Sequence, residues 1–211
     1  MLSNYLSRIE ERKTMALNHA RDGKLLYHLT ALDNLPSIFQ RGLLPRADIE
    51  EDIHFLDVAD PTIIDERDEL MGLDQYVPFH FIPYTPFDYA VKGSHRNTEF
   101  VYITVKREFA RETGWLILPG HPLGTDRDDI QLFSYDEGFD KVDWDAIAIY
   151  ADNAEADSHV HNAKMAECLS PARVSMADFF AVYCRNDEIK QRITEMVEFA
   201  PFHIDIQPLW F

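Results

Sequence analysis

Apolar residues recur along this chain in short blocks, and their spacing switches between helical and strand periods. Leu2, Leu6, Ile9 and Leu17 fall at helical intervals and predict an amphipathic helix over residues 2–20, broken by Gly23. Residues 25–29 are short and apolar, as a buried strand is, and the block ends at Thr30. Asp33 stands where a helix cap is expected, ahead of Leu35, Ile38 and Phe39, and Gly42 with Pro45 stops that helix. Residues 46–75 carry little periodicity apart from a short helix predicted over 61–70. Residues 76–81 predict a strand, 85–91 a helix opened by Pro86, and 99–105 and 115–118 two further strands. A long polar stretch with Pro122, Gly124 and Gly138 follows, and then the β-prone block 144–150. Residues 162–169 are compact and mixed, 174–183 apolar, 186–199 helical, and 202–206 a closing strand. No repeat or low-complexity linker interrupts the pattern. It describes a mixed α+β domain with several short strands and peripheral helices.

Composition narrows the classes. A chain of 211 residues with 46% hydrophobic content builds one core, and 14 Phe and 9 Tyr exclude a disordered polymer. The longest apolar run is far short of the roughly 20 residues that span a bilayer. Glu10, Glu11 and Lys13 rule the first segment out as a signal peptide. Cys168 and Cys184 make neither a metal-ligand spacing nor a disulfide framework, which suits a reducing cytoplasm. The net charge of −17 argues against nonspecific affinity for a polyanion. Eleven acids lie between Asp48 and Asp74 against one cation, Arg67, and eleven more between His121 and Asp157 against Arg127 and Lys141. The other cations gather in Arg8, Arg12, Lys13, Arg21 and Lys24, and in Lys92, Arg96, Lys106, Arg107 and Arg111, so a locally basic face is open.

Four segments carry candidate chemistry. The first is Tyr27-His28-Leu29-Thr30, followed by Asp33-Asn34-Leu35, Ile38 and Gly42-Leu43-Leu44. His28 ends an apolar strand, where a histidine is either a satisfied core residue or a partner for a ribose hydroxyl; Thr30 or nearby backbone groups suit a carboxamide. The second is Ile63 to Asp68, in which Arg67 either pairs with Glu66 or Asp68 or binds a pyrophosphate by charge-assisted hydrogen bonds. The third is Asp74-Gln75-Tyr76-Val77-Pro78-Phe79-His80-Phe81, then Pro83-Tyr84-Thr85-Pro86. Phe79 and Phe81 suit a core, while Tyr76 or His80 suits a site. The fourth is Asn162 to Leu169, where Glu167 stands between Ala166 and Cys168. A carboxylate in that apolar setting is either exposed or has a partner.

Taken together, these segments resemble the DarT family of NAD-dependent nucleic-acid ADP-ribosyltransferases, from about Leu25 to the C-terminus. The likeness lies in a strand ending His-x-Thr before Asn-Leu, a Tyr-Val-Pro-Phe-Tyr-Phe run with following prolines, and a Met-Ala-Glu-Cys-Leu signature around Glu167. Val142-Asp143-Trp144-Asp145, Phe202-His203-Ile204-Asp205 and Trp210-Phe211 echo it. The chain departs from the family at Tyr84, often arginine there, and at Phe87, often methionine; losing that cation leaves the identity of the nucleic acid open.

The resemblance implies a single-domain ADP-ribosyltransferase fold of the ART/PARP kind over residues 25–211, with two small packed sheets and peripheral helices, behind an N-terminal helical extension, 1–24. It implies NAD as co-substrate and no metal. Glu167 would be the catalytic carboxylate, on the nicotinamide-ribose 2′-hydroxyl. Arg67, on a loop covering NAD, would be the second catalytic group, orienting and stabilising charge, since a guanidinium hardly ever deprotonates. The cofactor-binding set is His28, Leu29, Thr30, Ser37, Leu44 and Arg67. The acceptor would be a base of single-stranded nucleic acid, DNA ahead of RNA, recognised by residues 120–167. A toxin or phage-defence role with a macrodomain antitoxin as partner, and no membrane, follows from the same source. An RNA or protein acceptor, water as acceptor, or a non-catalytic NAD or nucleic-acid binding module are the other readings.

Overall fold

Strand β1 (Leu25–Ala31) lies near the middle of an eight-stranded sheet and organises everything around it. The computed structural model describes residues 20–49, 56, 72–122, 131–149 and 158–211, so the helices expected over 2–20 and 61–70 lie outside it apart from Ala20. The other strands are β2 (Val77–His80), β3 (Phe100–Lys106), β4 (Leu116–Leu118), β5 (Phe133–Ser134), β6 (Glu167–Ser170), β7 (Ala181–Cys184) and β8 (His203–Ile206). Their order is β5-β4-β6-β2-β1-β3-β7-β8, with every pair antiparallel except β7 and β8. The hydrogen bonding therefore joins the described strands into one sheet, where the family resemblance implied two.

The join is narrow. β1 and β3 match along seven residues, from Leu25↔Lys106 to Ala31↔Phe100. β1 and β2 meet in register only at Tyr27↔His80. Two half-sheets thus share a seam at one residue pair.

Both faces of the sheet are covered. Leu26, Val101, Ile103, Val105, Phe79, Ile117, Cys168 and Val182 enter the main core. Leu29, Phe100 and Tyr102 enter a second cluster with Val91 and Trp210 on the opposite face. β3 is buried on both sides, which explains its run Phe-Val-Tyr-Ile-Thr-Val, in which the one small polar residue, Thr104, donates its hydroxyl to the Ala181 carbonyl at 3.0 Å.

Helices close the two layers. α1 (Leu35–Arg41) stops at Gly42, whose φ of 87° and whose contact with Val174 both demand glycine. A Cβ there would stand 2.7 Å from the Val174 carbonyl oxygen and would break the Leu43↔Val174 bridge. α2 (Pro86–Ser94) opens with a capping box: the Asp88 amide donates to Thr85 Oγ1 at 3.2 Å, and the Thr85 amide donates to Asp88 Oδ2 at 2.9 Å. α3 (Arg107–Glu112), α4 (Tyr135–Phe139), α5 (Trp144–Ala148), α6 (Ser158–Lys164) and α7 (Asp187–Glu195) complete the set. Asn186 caps α7, whose Ile189 and Ile193 are one turn apart and buried, worth about 2 kcal/mol each.

Two local expectations fail for identifiable reasons. The block 144–150, β-prone by composition, begins as helix α5. Asp143 Oδ1 accepts the Ala146 amide at 2.8 Å, and Trp144 and Ile147 are buried at helical spacing. Asp33 does not cap α1. The chain first makes a 3-10 turn over Leu32–Asn34, and Asp33 points outward toward Arg192 at 3.9 Å.

The expected basic face is also absent in that form among the described residues. Arg107 is 6% exposed, and Arg21 and Arg111 pair with Asp140 and Asp136 at 3.3 and 2.6 Å. Arg107 instead binds the chain to itself. Its guanidinium donates to the carbonyls of Leu25, Arg21, Ala20 and Phe81 at 2.9 to 3.1 Å, and lies over the Phe81 and Trp144 rings.

Candidate active site

The hydrogen-bond alternation of β1 decides what its edge offers. The Leu32 amide donates to the Glu99 carbonyl and the Arg107 amide to the Lys24 carbonyl, so even-numbered residues of β1 direct their peptide groups at β3. Odd-numbered residues direct theirs at β2. Tyr27 meets His80 there. Leu29, next on that edge, falls opposite Pro78 in the same register. A proline has no N–H to give, so the Leu29 carbonyl gains no ladder partner at that position. The Leu29 carbonyl is therefore left without a ladder donor at the point where β1 and β2 part.

His28 crosses the same opening. Its Nδ1 lies 2.8 Å from the Pro78 carbonyl oxygen, which can only accept, so Nδ1 carries the proton. Burial pushes the imidazole below its ordinary value of 6.5, and His80 pushes the same way, against the Pro78 bond and Asp88. In the neutral ring Nε2 is then an acceptor, suited to a hydroxyl. The pH dependence follows. The folded form resists protonation, so as pH falls the unfolded chain takes up the proton first and stability drops from about pH 6.5 downwards. Once His28 protonates, Nε2 becomes a donor, and kcat/KM for a ligand that needs the acceptor should fall about tenfold per pH unit. A pH–rate profile checks this, and His28→Gln should flatten the acidic limb.

Glu167 opens β6 on the other side of β2. The register Tyr27↔His80↔Glu167↔Leu118 runs straight across four strands, which sets Tyr27, His80 and Glu167 on one face. Glu167 is 2% exposed. His80, itself buried, places Nδ1 at 3.2 Å from the carbonyl of Ala166, the residue before Glu167. Burial pushes the neighbouring Tyr27 phenol up to about 12, so it stays a neutral donor.

Asn34 was not assigned a role from the sequence, although it sits in the Asn-Leu opening of α1. Its side chain imitates a strand edge. Oδ1 accepts the Leu56 amide at 2.7 Å, while Nδ2 donates to the Leu56 carbonyl at 3.1 Å and to Thr30 Oγ1 at 3.2 Å. Asn34 and Thr30 are each 1% exposed. Thr30 thus offers a ligand little beyond its backbone, because its hydroxyl is enclosed. Asn34→Asp should destabilise the fold by about 2–3 kcal/mol at neutral pH, since a carboxylate cannot donate and faces a carbonyl. Chemical denaturation should show that deficit shrinking at low pH, where the protonated acid donates again.

A strand edge held open beside a buried glutamate can be compared with known proteins. The family model described as DarT, ssDNA thymidine ADP-ribosyltransferase, matches residues 27–211. The chain belongs to the DarT family. Its fold is similar to that of Thermus sp. 2.9 DarT in complex with ADP-ribosylated ssDNA, with a TM-score of 0.74 at 19% identity, covering 89% of this chain and 96% of that one. Thermosipho africanus DarTG in complex with ADP-ribose gives 0.73 at 22% identity over 89% of this chain and 51% of that one. Thermus sp. 2.9 DarT in complex with NAD+ gives 0.70 at 18% identity over 90% and 98%. At these identities the likeness is one of fold. No curated protein matches the chain in sequence.

The residues expected from the DarT likeness are unevenly placed. His28, Leu29 and Thr30 share the open end of β1, with Glu167 two strands away. Ser37 is half-buried on α1, and Leu44 is half-buried just past the Gly42 turn; no hydrogen bond ties either side chain to His28 or Glu167. Arg67 lies outside the described residues. At Tyr84, often arginine in DarT proteins, φ is 66° and the ring packs 4.9 Å from the ammonium of Lys92. That ammonium also bonds Tyr102 and the Trp210 carbonyl, at 3.0 and 2.6 Å, so a cation does stand beside Tyr84, supplied by α2.

Proposed function

We propose that this protein transfers ADP-ribose from NAD to thymidine in single-stranded DNA and releases nicotinamide. The observation that carries the reading is the buried Glu167, two strands from an open β1 edge, in a chain of the DarT family. Two strand spacings are about 10 Å. A nicotinamide-ribose unit lying over β2 spans that gap.

In this reading the carboxamide accepts from the Leu29 N–H and donates to the Leu29 carbonyl. His28 Nε2 accepts from a ribose hydroxyl, and Glu167 accepts from the nicotinamide-ribose 2′-hydroxyl. As the N1–C1′ bond lengthens, its electron pair moves to the pyridinium nitrogen and neutral nicotinamide departs. Positive charge then spreads over C1′ and the ring oxygen, where the Glu167 carboxylate stabilises it. A base nitrogen attacks C1′ with its lone pair, and its proton passes to water. Arg67 orients the base and stabilises charge. Ser37 and Leu44 complete the NAD site. An unpaired base costs less to present than one inside a duplex, which favours single strands.

The setting we propose is cytoplasmic, as a toxin or phage-defence effector countered by a macrodomain antitoxin. Both cysteines are buried and free, and no helix among the described residues is long and apolar enough to cross a membrane.

Mass spectrometry of oligonucleotides incubated with NAD tests the acceptor. Thymidine-containing single-stranded DNA should gain one ADP-ribose, and thymidine-free DNA none. A gain on RNA alone would replace the acceptor. Consumption of NAD without an adduct would point to water or protein, and no consumption of NAD would overturn the reading.

A further inference from the structure

A proline inside a central strand is unusual, because it removes a ladder hydrogen bond. Pro78 is the second residue of β2, which has β6 on one side and β1 on the other. The direction of its nitrogen explains how it is tolerated. Odd residues of β1 face β2, so His80, matched to Tyr27, directs its peptide groups at β1, and Pro78, two residues away, does the same. The ladder to β6 then runs through Val77 and Phe79, opposite Ser170 and Cys168, and does not need a Pro78 N–H. The missing donor falls on the β1 side, opposite the Leu29 carbonyl. The Pro78 carbonyl on that side accepts from the ring of His28 at 2.8 Å. Pro78 therefore denies the Leu29 carbonyl its ladder donor, and the ring of His28 competes with the Leu29 N–H for the Pro78 carbonyl.

We propose that Pro78 is a positioning residue that keeps the β1–β2 seam open at Leu29, so that the Leu29 peptide stays available for a primary carboxamide. The proposal rests on the seam being the NAD site, and it extends that reading to the ring carboxamide alone. An ordinary residue at this position would carry an N–H aimed at the Leu29 carbonyl. The strands could then close by one further pair, and the ligand would compete with the sheet for the same groups.

The test compares ligands that differ in the carboxamide. In Pro78→Ala, KM for NAD and the inhibition constant of free nicotinamide should rise together, about tenfold or more, as expected for losing one or two hydrogen bonds. ADP-ribose has no carboxamide, so its affinity should stay within about twofold, and kcat at saturating NAD should change little. Hydrogen exchange should show the new amide of residue 78 protected. An unchanged KM would mean that the proline is merely tolerated at an open edge and would overturn the proposal. Equal weakening of ADP-ribose and nicotinamide would mean general distortion and would also overturn it.

A measurement on the natural protein keeps the idea testable if the variant folds poorly. Nicotinamide should slow exchange at the Leu29 amide, whereas equal protection with and without it would show a closed seam and sink the proposal. If the natural protein turns over no NAD, the functional reading fails on its own. Exchange at Leu29 in the free protein still decides whether the seam is open.

Discussion

Glu167→Gln should lower NAD-dependent transfer by about 10²- to 10³-fold, the usual cost of removing one preorganised electrostatic contact to developing charge. The same substitution should not lower the melting temperature. Glutamine keeps the shape of a side chain that is 2% exposed and retains an acceptor oxygen for its contacts. Glu167 lies between β2 and β4 with both ladders formed, so the backbone has little reason to move. Activity and stability should therefore part company in this variant. A matched loss of both would mean that Glu167 holds the sheet together and does no chemistry. KM for NAD should change far less than kcat if the contact strengthens mainly in the transition state.

Arg107→Met should produce the largest loss of stability. The guanidinium of Arg107, itself 6% exposed, answers four backbone carbonyls, two of them at buried bonds and two at part-buried ones, and methionine would leave all four without that donor. Each unsatisfied buried acceptor costs about 1–3 kcal/mol, so a loss of about 4 kcal/mol or more is expected even with relaxation. Against a typical total of about 5–15 kcal/mol this is severe. It corresponds to a fall of about 10 °C or more in melting temperature for a chain of this size. Arg107→Lys should fall between, because an ammonium keeps the charge but cannot match the planar fork. Thermal denaturation of the three proteins checks the order. The carbonyls involved belong to the start of β1, the residue after β2 and the chain leading into the sheet, so NAD turnover should fall with folding here.

Local chemistry was legible in the sequence where it acts over a few residues. The Gly42 stop, the Pro86 helix start and the apolar strands at 25–29, 76–81 and 99–105 all follow from spacing, and each has its counterpart in the fold. The helix at Trp144 was missed because composition favoured a strand, while one Asp143 cap and burial at helical spacing decided the matter. Asp33 looked like a cap by residue type, but the 3-10 turn before α1 changed the geometry.

Contacts distant along the chain were not legible. Arg107 was counted as a surface cation, and nothing in its neighbours reveals four carbonyls from 26 to 87 residues away. Asn34 stands in the Asn-Leu opening of α1, yet its clamp on Leu56 spans 22 residues. The single pair Tyr27↔His80 that merges two half-sheets is likewise a matter of three-dimensional register. Glu167 and His28 stood out only through the family likeness, since the same residue types occur in ordinary cores.

The most direct measurement is a crystal structure of this protein with carba-NAD+, an analogue already seen bound to Thermus sp. 2.9 DarT. The carboxamide should lie against the Leu29 N–H and carbonyl, with the 2′-hydroxyl of the adjoining sugar ring within hydrogen-bond distance of Glu167. An analogue bound away from the β1–β2 seam, with Glu167 out of reach of that hydroxyl, would contradict the account.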